Sequence, residues 1–319
     1  MKKIILLALC FASVCVWGAE PLMLVKPGRE VFVNFPSAIL PDKAVTVFLP
    51  EPAVPLHQKY PVVYLLGVWP KDAPLAQEIL EKSDQKAMLV GLNVEEADLA
   101  DPAKIVQFFS QELVPYIDTN YLTKDEPAFR AIAAYGPSGT KTAAALLARK
   151  QLFGRALLVN SGEEAISFAG ADKDLRVLAA GNRAELTVLW QTLQEMGLPY
   201  GSQVALQMSN KASLFANLNL EYLFAKGADL AVDKLEGEIT PKTLFITPQE
   251  QARADFRVTL ENGMRFDYIP LDLRIAPPYL NWNAGLGVLH PVPGASAGKV
   301  KISVFVDKEK FEGKIKLKK

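Results

Sequence analysis

Ala131-Ile132-Ala133-Ala134-Tyr135-Gly136-Pro137-Ser138-Gly139-Thr140-Lys141-Thr142 is the stretch that decides the fold. An apolar run with strand character meets a sharp Gly-Pro-Ser-Gly turn, and the alanine-rich residues 142–150 follow, so the reading is strand, tight turn, helix. The Lys-Thr pair after the turn invites a phosphate-loop interpretation, but Thr140 stands where the second glycine is required and Tyr135 where the first is. No nucleotide is expected. The same turn reads instead as a nucleophile elbow, in which a serine is held at a strained apex between strand and helix. Ser138 is the nucleophile position in this reading. Gly136 supplies the small residue two positions before it, while the glycine after it, Gly139, comes one position early.

Outward from this turn, short β-branched runs alternate with helical patterns from Glu30 to about Gly227, as in an α/β sheet covered on both faces. Residues 45–49, 62–66, 88–92, 155–160, 175–180 and 204–208 read as strands. Asp101-Pro102 caps and starts a helix with Ile105, Val106, Phe109, Leu113 and Val114 on one face. Residues 184–196 and 212–224 read as further helices. Beyond about Lys226 the period changes to two, with turn residues every ten or so positions, which places a domain boundary near 227–240. Glu261-Asn262-Gly263 marks a hairpin there, because Asn-Gly tolerates positive φ at both turn positions. The expected architecture is an α/β domain over 20–230 and a small all-β, immunoglobulin-like sandwich over 235–319.

The chain has 319 residues and no formal net charge, half of them apolar and 22% charged, which excludes a disordered chain and gives no sign of electrostatic capture of nucleic acid. Lys2-Lys3, the apolar run 4–17 and Gly18-Ala19 form an export signal over 1–19, too short for a stable bilayer span. The protein is expected to be exported, either periplasmic or secreted. Cys10 and Cys15 both lie in the leader, so the mature chain has no thiol for disulfides, nucleophilic catalysis or thiolate metal sites. No metal and no cofactor are expected.

Four stretches bring a family into view. Residues 60–66, 112–121, 132–138 and 152–162 are similar to the strand ahead of the oxyanion loop, the helix before the elbow, the elbow itself and the strand after it in the secreted esterase family of α/β hydrolases. That family includes esterase D, feruloyl and siderophore esterases and the mycolyl transferases. The resemblance covers about residues 30–225 and implies an α/β-hydrolase fold with a degenerate triad. It implies an acid after strand 175–180, where Glu185 is the nearest carboxylate, and a histidine after strand 204–208, where Ser209-Asn210-Lys211 stands. Lys211 is the substitute base to consider. The amides of Gly139 and Val68 are the oxyanion candidates, with Trp69 and Glu163 toward a ligand pocket.

The remaining groups are weighed individually. His57 reads as a solvated loop residue, and His290 becomes catalytic only if the β region leans over the turn. Asp84, Glu95, Glu96, Glu163 and Glu164 fall at strand ends where α/β folds bind ligands. A serine without a base is a poor nucleophile. The favoured reading is therefore an exported pseudo-esterase that binds a small-molecule, carbohydrate or envelope ligand or serves as a scaffold. The alternative is a serine acyl hydrolase using Ser138 with an atypical base.

Overall fold

The computed structural model describes residues 28–32, 35–41, 43–50, 58–68, 70–211 and 213–319. The leader with both cysteines, His57 and Trp69 lie outside them. β1 (Gly28–Phe32), β2 (Val45–Leu49), β3 (Val62–Leu66) and β4 (Met88–Leu92) form the first half of the α/β sheet, with α1 (Ala73–Lys82) between the last two. α2 (Glu96–Leu99), α3 (Pro102–Phe108), a π-helical turn at Phe109–Leu113 and α4 (Val114–Asn120) lead to β5 (Arg130–Tyr135) and α5 (Gly136–Leu147). The second half contains β6 (Arg155–Val159), β7 (Arg176–Gly181), α6 (Arg183–Glu195), β8 (Val204–Met208), α7 (Leu214–Asn217) and α8 (Leu220–Phe224).

These strands lie in the order β1-β2-β4-β3-β5-β6-β7-β8, parallel from β4 through β8, with β1 and β2 antiparallel at one edge. The chemistry of the strands explains why. β3 and β4 are buried at every position, as continuous apolar runs are when both faces of a parallel sheet are covered. Tyr64, Phe109 and Phe153 lock edge-to-face beneath them. α3 begins as its sequence requires, with Asp101 Oδ1 accepting the Lys104 N–H at 3.2 Å and Pro102 in the first turn. The helix read over 212–224 is two short helices. Asn219 accepts the Tyr222 N–H at 2.8 Å and so recaps the chain midway.

From Val232 onward every α/β alternation is gone. β9 (Val232–Thr240), β10 (Thr243–Phe245), β11 (Ala252–Leu260), β12 (Arg265–Tyr268), β13 (Arg274–Ala276), β14 (Leu280–Asn283), β15 (Val288–Pro291), β16 (Gly298–Val306) and β17 (Glu309–Lys318) follow one another. The β11–β12 hairpin pairs Phe256 with Tyr268 and Val258 with Phe266. Only Gly263, at φ +82°, is left-handed in its turn, so Asn262 does not share the positive-φ role expected of it. β12 then meets β8 through Asp267 and Leu206, which joins β9, β11, β12, β14 and β15 to the α/β sheet as a single layer of 13 strands. β10, β17, β16 and β13 form a separate four-stranded sheet packed over that extension, with Phe256 against Phe311 across the gap. One of the two C-terminal layers therefore continues the sheet of the α/β half while the other stands apart from it, and in that second layer β10 pairs with β17 in parallel.

The junction is polar as well as paired. The Met208 N–H donates to Asp267 Oδ2 at 2.7 Å, and the Tyr200 hydroxyl donates to the Asp267 carbonyl. Burial pushes the Asp267 carboxyl above the usual carboxylate range despite the amide that it accepts. Among the described residues, no helix is long and apolar enough to cross a membrane.

Candidate functional site

β5 delivers the chain into a left-handed turn at Gly136, φ +75°, which is the first residue of α5. Glycine enters this region without the Cβ clash that other residues meet. A Cβ built at Gly136 finds no atom within 4 Å, so the backbone angle rather than crowding favours glycine here. The sequence pattern places the strained apex at Ser138, whereas the left-handed residue lies two positions earlier. Counted from Gly136, the small residues two before and two after are Ala134 and Ser138. The residue after the apex is Pro137, which has no N–H to donate.

Ser138 is the third residue of α5 and half-buried, and its hydroxyl donates to Oε1 of Glu96 at the start of α2. The sequence alone offers Glu96 only as one of several cleft carboxylates. Pro137 is held from the other side by the loop after β6, where a Cβ on Gly162 would come within 2.9 Å of its Cγ. Asn160, just after β6, has φ +51° and donates through Nδ2 to the Tyr135 hydroxyl at 3.3 Å.

Of the oxyanion candidates, the Val68 amide is engaged elsewhere. The Val68 N–H donates to the Leu92 carbonyl at 3.2 Å, and the Gly67 N–H donates to the same oxygen at 2.9 Å. This close approach rests on Gly91, where a Cβ would sit 2.9 Å from Val68 Cγ1. Gly139 is buried in the first turn of α5 against Ala134.

Glu185 belongs to a helix cap. Its Oε2 accepts the Asn182 N–H at 3.2 Å, while Asn182 Oδ1 accepts the Glu185 N–H at 3.0 Å, a capping box at the start of α6. The same loop sends Arg183 the other way, into the C-terminal strands, where it pairs with Asp255 at 3.0 Å and donates to the Ala284 carbonyl at 2.9 Å. Lys211 is exposed, and among the described residues its ammonium has no hydrogen bond or ion pair. Glu163 is exposed, and Glu164 pairs with Lys141 at 2.9 Å. His290 lies on β15 opposite Asn281, six strands along the sheet from β5 and so on the order of 30 Å away.

A cavity of about 330 Å³ opens beside the turn, lined by Gly67, Val68, Val94, Glu96, Tyr135 and Phe215 among others. Its walls mix apolar side chains with Asp72, Glu96, Tyr135 and Ser213, so it offers a small organic ligand both apolar contact and polar partners. Val68 and Glu96 are expected here from the sequence, whereas Tyr135 and Phe215 are not. Phe215 could have been suspected only from its position after the last parallel strand. Among the described residues, no three His, Asp or Glu side chains converge as a metal site.

No protein-family model matches the chain, and no curated protein matches it. Among solved structures it is similar to an IroE-like serine hydrolase from Shewanella oneidensis, with 14% identity over 61% of this chain and 78% of that one and a TM-score of 0.45. It is also similar to a ferulic acid esterase, with 18% identity over 62% and 96% of the two chains and a TM-score of 0.45. A third is the enterobactin esterase of Shigella flexneri, with 15% identity over 61% of this chain and 57% of that one and a TM-score of 0.45.

Proposed function

We propose that this chain is an exported protein with an esterase-like α/β-hydrolase scaffold that has lost acyl chemistry and binds a small organic or envelope ligand beside the former elbow. The observation that carries this reading is the apex itself, Gly136 followed by Pro137. A strained strand-to-helix apex is where such a fold presents its nucleophile, and the amide of the next residue is where it stabilises the oxyanion. Glycine has no nucleophile and proline has no amide hydrogen. The Gly67 and Val68 amides, both directed at the Leu92 carbonyl, support the same conclusion. Residues 20–230 are proposed as the hydrolase-like unit and 235–319 as an immunoglobulin-like addition that extends its sheet.

One contact favours a second reading, in which the protein is a serine acyl hydrolase. The Ser138 hydroxyl is hydrogen-bonded to the Glu96 carboxylate, so a serine and a potential base are already in contact. Hydrolysis of a short p-nitrophenyl ester separates the two. The binding reading expects equal, near-background rates for the unaltered protein, Ser138→Ala and Glu96→Gln. Turnover or a burst that disappears in Ser138→Ala would overturn it.

A further inference from the structure

We infer that the outer face of the four-stranded sheet is a docking surface for a bilayer carrying anionic lipid headgroups. Alternate residues of a strand project to one side, and here the inward set, Val300, Ile302, Val304, Ile315 and Leu317, is buried. The outward set is basic. β16 presents Lys299 and Lys301, and β17 presents Lys310, Lys314, Lys316 and Lys318. Arg274 of β13 adds to them. Glu312 is the one carboxylate among the outward residues of these strands, and it is claimed by Lys301 at 2.8 Å and by Lys310.

This concentration of charge is unusual in a chain whose formal net charge is zero. It also works against the sheet. Lys299 stands directly opposite Lys316, and Lys301 directly opposite Lys314. Like charges at such positions destabilise a strand pair. An anionic surface would supply the missing countercharge.

The shape and the aromatic residues select the partner. From Lys310 to Lys318, β17 spans on the order of 27 Å, and three strand spacings give a width of about 14 Å, so the charges lie on a broad face rather than along one line. Phe305 and Phe245 point outward at opposite ends of this face, 41% and 49% exposed. Arg274 and Lys310 flank the Phe305 ring at 4.7 and 5.5 Å. An exposed phenylalanine has no polar group for a hydrated polymer, but it fits the boundary between headgroups and acyl chains when basic residues surround it.

The test is co-sedimentation with vesicles of mixed phosphatidylglycerol and phosphatidylcholine, beside vesicles of pure phosphatidylcholine. Every variant keeps the same N-terminal segment, so differences belong to the sheet. Binding to the anionic vesicles alone is expected, weakening as salt rises. Lys314→Gln with Lys316→Gln, a mild pair that relieves like-charge contacts, is expected to lower the affinity roughly 30-fold. Phe245→Ser with Phe305→Ser is expected to weaken binding while leaving its salt dependence in place. Equal binding by the unaltered protein and the lysine variant would overturn the inference, as would equal binding to both vesicle types. Tighter binding to heparin or single-stranded DNA than to the anionic vesicles, whether or not the phenylalanine changes weaken it, would overturn it in favour of a polymer.

Discussion

Arg176→Met is expected to destabilise the protein by about 3–5 kcal/mol, read from urea unfolding, with Lys recovering only part of the loss. Arg176 opens β7 with 4% of its surface exposed. Its Nη1 donates to the carbonyls of Tyr222, Leu223 and Ala225 at 3.0, 3.1 and 2.8 Å, and its Nε to that of Ser202 at 3.1 Å. These are largely the orphan carbonyls at the end of α8, which a helix terminus leaves unpaired. Arg155 reaches the Leu223 carbonyl as well, at 3.1 Å, and burial pushes its guanidinium down to about 10, so it stays charged at neutral pH. Methionine would fill the volume and leave the carbonyls buried without donors. A loss below about 1 kcal/mol would show that water or Arg155 satisfies them instead.

Arg183→Ala is expected to cost about 2–4 kcal/mol and to loosen the C-terminal strands from the α/β half. Beyond its pair with Asp255, Arg183 donates through Nη2 to the Ala254 carbonyl at 3.3 Å and stacks at 5.6 Å over Trp282. A Cβ on Gly287 would fall 2.6 Å from the guanidinium carbon, which shows how closely the strand connection wraps it. Asp255 is 37% exposed and also pairs with Arg253, so its own charge would not be stranded, and the loss is smaller than for a fully buried pair. Hydrogen exchange should show β11 and β15 opening before β5 and β6 in the variant. Uniform protection across both halves would contradict this joint.

The parallel strands were legible because their signal is local. Buried runs such as Val62–Leu66 and Met88–Leu92 need no partner to be recognised. The strand, turn and helix over residues 130–147 were legible for the same reason, and the register of the left-handed turn was not. Ser138 draws the eye because it has a glycine two places before it, whereas the apex is set by where the strand ends, at Tyr135, and by the residue that turns left-handed next. The small pair Ala134 and Ser138 around Gly136 was a usable signal. The loop after β7 was expected to hold an acid, and its residues 182–185 instead cap α6 and anchor the C-terminal strands through Arg183, a contact spanning 72 residues to Asp255 that no local pattern encodes. Sheet continuity through Asp267 and Leu206 was hidden similarly, since a single bridge leaves no period in the sequence. The sequence offers Glu96 as a cleft carboxylate, but its contact with Ser138 depends on two helix starts, α2 and α5, that follow different strands.

The central claim is that no competent nucleophile stands at the β5–α5 turn. Intact-mass analysis after treatment with a fluorophosphonate, which forms a covalent bond only with an activated serine, tests it most directly. The account predicts an unmodified mass under conditions that fully label an active serine esterase, with Ser138→Ala behaving identically. A single phosphonyl adduct that maps to Ser138 and disappears in Ser138→Ala would contradict it.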